Sequence, residues 1–260
     1  MELISPTEFA KSRVLAVQEY ALLSARAIAN LFQQPRYIPD TLQQADIIGV
    51  GSLPIVVLTG FFTGAVLALQ SANTLQRFGS LSLIGELVSE SMVRELGPVL
   101  TGLMVAGRNS SGMASELGSM KVTEQIDAMR ALGTDPTKKL VTPRLVGTVV
   151  MLFFLSIISD FVGLAGGAFV SGTMLGLDSR QYWSRAWQSL AFADVFMGLA
   201  KPVCFGFIVA SIGCYYGLSA KGGTQGVGRA TTQAVVAASV LILVVDFFLT
   251  RFLMVVLPGF

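Results

Sequence analysis

The sequence contains no histidine and little charge. Of its 260 residues, 13% are charged and 53% are hydrophobic. Histidine is the usual general base and a common metal ligand, so its absence argues against serine-hydrolase and zinc-enzyme chemistry. A typical soluble domain carries about 25% charged residues. The composition therefore favours a membrane protein.

Other features of catalytic or nucleotide-binding proteins are also missing. The two cysteines, Cys204 and Cys214, lie in one apolar segment without a metal-binding spacing, which is typical of buried small residues. No GxxxxGK[ST] motif occurs, so the chain cannot cradle ATP phosphates by itself. The net charge of +2 does not indicate nucleic-acid binding. We expect no catalytic centre, cofactor or metal, and no ATPase activity in this chain.

Long apolar segments predict an all-α integral membrane protein. A spanning helix needs about 20 predominantly apolar residues. We predict five spanning helices, with short loops except for residues 108–144. The predicted spans are 47–71, 88–107, 145–171, 195–218 and 231–257.

The basic residues predict how these spans are oriented, because cytoplasmic loops carry an excess of Lys and Arg. With the N-terminus inside, twelve basic residues are cytoplasmic and three are external. The C-terminus is then periplasmic, and the long loop is cytoplasmic.

Residues 7–32 precede the first span and predict an amphipathic helix. Its apolar side includes Leu15, Leu22, Ile28 and Phe32, with basic residues interspersed. This pattern favours a helix in the membrane interface over one packed on the bundle.

The second predicted span carries unusual charges. Its unbroken apolar stretch, residues 96–107, would rise only about 18 Å as a helix, less than a hydrocarbon core of about 30 Å. The helix must therefore continue back through Glu95, Arg94 and Glu90. Glu90 and Arg94 are spaced i, i+4, which suits an ion pair. The charges could face a watery cavity, or they could form a structural pair near the interface.

Two further acids, Asp160 and Asp246, lie within apolar segments. Either could relay protons, or either could form a hydrogen bond between helices. We favour the structural role for both, in which Asp246 could pair with Arg251 or cap a break in its helix.

The long loop predicts a short helix over residues 123–133. Thr123 suits the N-cap and Gly133 suits the position after the C-cap. Ile126, Met129 and Leu132 recur every three residues and predict an apolar side. Such a helix could dock a soluble partner, or it could merely cover the base of the bundle.

An ordered series of motifs resembles the MlaE/YrbE permeases, which belong to the ABC transporters of the Mla and Mce phospholipid-transport systems. The motifs are Arg94-Glu-Leu-Gly-Pro98, Ala106-Gly-Arg108, Ala114-Ser-Glu116, Val122-Thr-Glu-Gln-Ile-Asp-Ala-Met129, Asp135-Pro136 and Pro143-Arg144. The resemblance covers essentially the whole chain, so we expect residues 1–260 to form one permease domain.

The resemblance implies a multi-pass permease of the bacterial inner membrane that works as a homodimer. It implies that a cytoplasmic ABC ATPase, a periplasmic MCE-domain protein and a small STAS-domain protein are partners. Phospholipid would occupy a cavity between the two copies. The matched cavity residues are Arg94 and Glu95, and Glu90, spaced i, i+4 with Arg94, is a further candidate for the lipid cavity. The matched coupling helix, which would dock on the ATPase, contains Glu124, Ile126, Ala128, Met129 and Leu132.

Two other functions stay open at this stage. A proton-coupled secondary transporter could use Asp160, Asp246 and Glu95. A membrane scaffold without transport activity would need none of them. A co-purifying ATPase would favour the permease, whereas inverted repeats would favour the secondary transporter, and the sequence contains no evident repeat.

Overall fold

The computed structural model describes residues 6–35 and 37–256, together with the side chains of most of them. These residues form helices and connecting turns, without a β-strand. Arg36 and the last residue of the fifth predicted span, residue 257, lie outside this part of the chain. The α-helices are α1 Pro6–Ala29, α2 Ile38–Arg77, α3 Ile84–Ser91, α4 Gly97–Val105, α5 Ser111–Val122, α6 Gln125–Ala131, α7 Thr142–Thr173, α8 Ser179–Ser189, α9 Phe192–Leu218 and α10 Gly223–Val256.

Four described helices are long and apolar enough to cross a membrane. They are Ile38–Arg77, Thr137–Thr173, Phe192–Leu218 and Gly223–Val256. Each contains one of the predicted spans, except that the last one is described only to residue 256. Many large apolar side chains on them stay exposed, for example Phe247 at 69% and Phe62 at 57%. Such a surface suits contact with lipid rather than water.

The remaining predicted span, 88–107, lies in a helical run that is divided by two π-turns. Helices α3, α4 and α5 follow one another, joined by the π-turns Met92–Leu96 and Ala106–Ser110. A π-turn inserts an extra residue into the helical hydrogen-bond pattern and is common at functional sites. This run carries charges near its beginning, and the two π-turns interrupt its α-helical hydrogen bonding. It is not among the four described helices that are long and apolar enough to cross a membrane, so the fifth span stays a prediction.

Glycines bring α2 and α7 into close contact. A Cβ atom at Gly64 would lie 1.9 Å from the carbonyl oxygen of Gly163, and one at Gly60 would lie 2.9 Å from that of Ser159. On the other side of the bundle, Gly213 and Gly217 of α9 lie against α5. The small-residue spacing that draws membrane helices together therefore lies at these helix contacts.

Helix α1 packs on the bundle by one face only. Ala27 is buried, and the hydroxyls of Tyr20 and Ser211 in α9 are 2.9 Å apart. Leu22 and Ile28 stay exposed on the other side. The two interpretations of residues 7–32 are thus compatible, because one face contacts the bundle while apolar side chains remain available to lipid.

The loop between α7 and α9 is longer and more ordered than we expected. It contains helix α8, whose N-cap Asp178 accepts a hydrogen bond from the Arg180 amide at 3.1 Å. Tyr182 of α8 is buried and donates to the carbonyl of Leu164 at 3.2 Å. The prediction of a short loop here was wrong, because this polar amphipathic helix lacks the apolar length that identified the spans.

The predicted loop helix is α6, and its start differs from our expectation. Thr123 is not its N-cap: this residue ends α5, and its hydroxyl donates to the carbonyl of Ser119 at 2.9 Å. Glu124 precedes α6 with a φ of 59°. At the other end, Gly133 has a φ of 78° and its amide donates to Arg130, while the amide of Thr134 donates to Met129. These two bonds form a Schellman motif, in which glycine avoids the strain of a positive φ.

Candidate functional site

A buried lysine organises a cluster of charges inside the bundle. Lys201 of α9 is completely buried. Its Nζ lies 2.5 Å from a carboxylate oxygen of Glu95 and 3.1 Å from Asp246 Oδ1. A charge is tolerated at such depth only when it is paired. We call Arg94, Glu95, Asp194, Lys201 and Asp246 the charge cluster.

The local sequence around Pro98 explains the third contact of Lys201. In a regular helix, the amide of residue 98 would donate to the carbonyl of Arg94, but proline has no amide hydrogen. Lys201 Nζ donates to this carbonyl instead, at 2.9 Å. The π-turn Met92–Leu96 and Pro98 thus leave a backbone acceptor that the lysine satisfies.

Arg94 belongs to the same cluster, but its shortest ion pair is with Asp194 rather than with the residues around Lys201. Its Nε is 2.8 Å from Asp194 Oδ1, whereas its guanidinium is 3.8 Å from Glu90. The predicted i, i+4 pair therefore exists but is the longer of the two contacts. Asp194 is buried at the start of α9, where its other carboxylate oxygen accepts from the amide of Ala191 at 2.8 Å.

Lys201 and Asp194 are not among the residues predicted from the sequence. A lysine within an otherwise apolar span is a signal that could have identified the first of them. Asp246 was expected to pair with Arg251, but it pairs with Lys201 instead. Only the packing of α10 on α9 brings these two residues together.

Two open clefts lie beside the charge cluster. One has a volume of about 300 Å³, and its walls include Glu95, Asp246, Thr250 and Arg251. The hydroxyl of Thr250 donates to Glu95 at 3.1 Å. The other has a volume of about 460 Å³ and is mostly apolar, with Leu58, Phe62, Val66 and Leu96 among its walls. Glu95 and Leu96, consecutive residues, thus reach two different clefts, of which the first has charged side chains in its walls.

Asp160 does not join the charge cluster. Its side chain is buried in α7 against Gly97, where an added Cβ would lie 1.6 Å from Asp160 Oδ1. That oxygen has no hydrogen-bond partner among the described residues. The predicted hydrogen bond between helices is therefore not made by this oxygen, and the role of Asp160 stays a prediction.

A second group of residues from the sequence motifs connects α5, α6 and α7. Arg144 of α7 is buried, and its guanidinium contacts Glu116 of α5 at 2.7 Å and the carbonyl of Leu140 at 2.8 Å. The loop that contains α6 is thereby tied to the helices on both sides of it. We call α5, α6 and the start of α7 the coupling unit.

Within α6, the predicted apolar side is divided between interior and surface. Ile126 is completely buried in the chain, Met129 is half-buried, and Leu132 is 84% exposed. A three-residue spacing drifts by about 60° per step around a helix of 3.6 residues per turn, so these side chains spread over about 120° of the helix surface. The expectation that all three face a partner was wrong for Ile126. Ala128 is exposed and, with Leu132, is available to one.

Charges on α6 form a small surface network. Asp127 lies 3.1 Å from Lys121 and 3.0 Å from Arg130. The hydrogen bond from Lys121 and the two positive charges hold the pKa of the Asp127 carboxyl below its ordinary value. The carboxylate is thus favoured, and this network stays intact near neutral pH and weakens as the pH falls through that pKa.

Apolar helices with a paired charge cluster and adjoining clefts define a multi-pass membrane protein of the transporter type. Comparison with known proteins identifies its family. The family model for Permease MlaE matches residues 41–252, so the chain belongs to the MlaE permease family.

Named relatives agree with this assignment. A probable ABC transporter permease protein of Rickettsia typhi is 44% identical over 234 residues, which is 90% of both chains. The intermembrane phospholipid transport system permease protein MlaE of Haemophilus influenzae is 37% identical and covers 83% of both chains. The chloroplastic protein TRIGALACTOSYLDIACYLGLYCEROL 1 of Arabidopsis thaliana is 35% identical over 89% of this chain and 66% of its own length.

Proposed function

We propose that this chain is the membrane subunit of an ABC transporter that moves phospholipids. The observation that carries the proposal is the charge cluster beside an apolar cleft, in a chain of the MlaE permease family. A phospholipid has a charged headgroup and apolar chains. A cleft with charged side chains in its walls and a mostly apolar cleft, reached by consecutive residues, can accommodate both parts.

Glu90, Arg94 and Glu95 are the residues for which we propose contact with lipid. Glu95 has the strongest support, because its half-buried carboxylate lines the same cleft as Asp246 and Arg251 while it is held by Lys201 and Thr250. Arg94 and Glu90 extend the polar surface along the same face of the helical run. Lys201 would then position Glu95 rather than contact lipid, since it is completely buried.

Energy would come from a separate cytoplasmic ATPase that docks on the coupling unit. We propose Glu124, Ala128, Met129 and Leu132 as contacts, with Ile126 as the internal anchor. A homodimer would enclose the lipid cavity between two copies. A periplasmic MCE-domain protein would exchange lipid with it, and a STAS-domain protein would bind the ATPase.

The proposed assembly lies in the bacterial inner membrane, with five spans and a cytoplasmic N-terminus. In this orientation the charge cluster is in the outer half of the bilayer and the coupling unit is on the cytoplasmic side. Lipid trafficking between the inner membrane and the MCE-domain partner, or maintenance of outer-membrane asymmetry, would be the physiological role.

A reconstituted transfer assay tests the function. Proteoliposomes with the complete transporter and a fluorescent phospholipid are mixed with acceptor vesicles, and lipid transfer is measured with and without ATP. We expect ATP-dependent transfer that falls on the order of tenfold in Glu95→Gln, because a hydrogen bond to a charged group contributes about 1.5–3 kcal/mol. Glu86→Gln, in the same helical run, should transfer lipid normally.

The same preparation distinguishes the proton-coupled alternative. Transfer that needs a pH gradient but no ATP would contradict the ABC mechanism. Normal transfer by Glu95→Gln would remove this residue from the lipid site. Assembly is checked in each variant by the amount of ATPase that co-purifies.

A further inference from the structure

A third cavity lies at the other end of the bundle from the charge cluster. It has a volume of about 210 Å³ and is enclosed by the end of α1, the start of α2 and the start of α7. We call it the α1–α7 cavity. Its walls are largely apolar and include Leu31, Ile38, Leu42, Pro143 and Val146.

Two nitrogen donors lie among the walls of this cavity, which also include Tyr37, Thr41 and Thr142. Lys138 is half-buried, and its Nζ donates one hydrogen bond to the carbonyl of Gln34, which leaves two further N–H groups. The side-chain nitrogen of Asn30 is buried and has no hydrogen-bond partner among the described residues. An unpaired buried donor destabilises the protein, so a ligand that accepts a hydrogen bond here would be stabilised.

The charge of the cavity is positive. Lys138 is the charged residue among its described walls, and those walls include no acid. The neighbouring Lys139 pairs with Asp40 and lies over the ring of Tyr37, 4.4 Å from its centre. Asp40 is therefore neutralised by Lys139 and does not compensate Lys138.

The surroundings of the cavity favour a lipid rather than a water-soluble anion. Ile38 is 59% exposed and Leu42 is 65% exposed beside it. Both belong to α2, whose apolar length is sufficient to cross a membrane. An apolar rim with a basic group at the membrane boundary suits a phosphate headgroup with its acyl chains along α2.

We propose that the α1–α7 cavity binds an anionic phospholipid of the leaflet on the α1 side, with Lys138 and Asn30 donating to its phosphate. This site is separate from the clefts beside Glu95, on the opposite side of the bundle. A lipid held here would join α1 to the start of the coupling unit, since Lys138 lies in the π-turn Thr137–Val141 that leads into α7.

A local fluorescence measurement tests the proposal. The two tryptophans, Trp183 and Trp187, belong to α8 and are replaced with phenylalanine. Leu42→Trp then places a single reporter at the cavity rim. The purified full-length chain is reconstituted in phosphatidylcholine vesicles with 20% brominated phosphatidylglycerol or, in parallel, 20% brominated phosphatidylcholine, and quenching is compared.

We expect about a fivefold preference for brominated phosphatidylglycerol, because one basic residue near an anionic membrane surface contributes about 1 kcal/mol. Lys138→Gln should abolish the preference. Asn30→Leu should reduce quenching by both lipids, because it removes a donor without changing the charge. The matched control is Lys121→Gln, which removes a lysine on α5 and should keep the full preference.

Several outcomes would overturn the proposal. They are equal quenching by the two lipids in the parent protein, an unchanged preference in Lys138→Gln, and a preference lost in Lys121→Gln. Inorganic phosphate, compared with chloride at equal ionic strength, should leave the preference unchanged. Loss of the preference in phosphate would show that the cavity binds a free anion rather than a lipid. If both lipids quench weakly and the chain self-associates, a second copy of the chain, rather than a lipid, covers the α1–α7 cavity.

Discussion

At the residue scale, Lys201 illustrates how a membrane bundle holds a charge. Its ammonium group contacts two carboxylates and one backbone carbonyl, all contributed by other helices. Each partner is explained by local sequence or packing: Pro98 leaves the carbonyl of Arg94 without an amide donor, and α10 brings Asp246. The lysine therefore joins α9 to α10 and to the helical run that contains Glu95.

We predict that Lys201→Met destabilises the protein because it leaves Glu95 and Asp246 without their cation. Breaking a buried ion pair costs about 3–5 kcal/mol, and the partial exposure of both carboxylates favours the lower end. The thermal midpoint in detergent should fall by several degrees. Combining it with Asp246→Asn should recover part of the loss, whereas the exposed Lys221→Met should have no effect. An unchanged midpoint in Lys201→Met would show that the lysine does not stabilise the bundle.

At the scale of elements, the coupling unit combines a rigid base with an exposed surface. The Arg144–Glu116 contact and the buried Ile126 fix α6 to the bundle. The Schellman motif at Gly133 ends the helix, and Pro136 after it is also buried. A motion of α6 would therefore be passed to α5 and α7 rather than absorbed by a flexible loop.

We predict that Ala128→Arg releases the ATPase from the purified complex while the permease remains abundant. Ala128 is exposed, so the arginine does not disturb the fold, but its bulk and charge would disrupt a packed interface. Loss of an interface anchor costs about 2 kcal/mol or more, which is roughly a thirtyfold decrease in affinity. Co-purification measures the effect.

Ile126→Asp is the informative comparison. This substitution places a carboxylate in a buried site and should lower the amount of folded permease, unlike Ala128→Arg. Met129→Asp, at a half-buried position, should weaken ATPase binding as well. A full complement of active ATPase in both Ala128→Arg and Met129→Asp would show that docking occurs elsewhere.

At the scale of the whole molecule, one helical run joins the two functional regions. Residues 84–122 pass from the charge cluster at Arg94 and Glu95 to Glu116 of the coupling unit. The distance along the axis from Glu95 to Glu116 is about 31 Å, which is close to the thickness of a hydrocarbon core. Two π-turns, Met92–Leu96 and Ala106–Ser110, lie on this path, and π-turns are common at functional sites.

We predict that a reporter enzyme fused after the last residue, Phe260, lies outside the cytoplasm. The excess of basic residues on the α1 and α6 side is the physical reason. An alkaline phosphatase fusion there should be active, and a green fluorescent protein fusion should be dark. A fusion after Ser219, in the turn between α9 and α10, should behave in the opposite way. Cytoplasmic fluorescence from the Phe260 fusion would contradict the predicted orientation or the number of spans.

The sequence by itself determined the protein class, because apolar length and the scarcity of charge leave a membrane bundle as the stable arrangement. The motifs from Arg94 to Arg144 predicted the family, and their spacing predicted the short loop helix and its glycine end. They could not predict which charges pair. Lys201 meets Glu95 and Asp246 across three helices, and a hydrophobicity pattern contains no information on helix neighbours. Likewise, only the packing of α6 on α5 decided that Ile126 points inward, while Ala128 and Leu132 face outward.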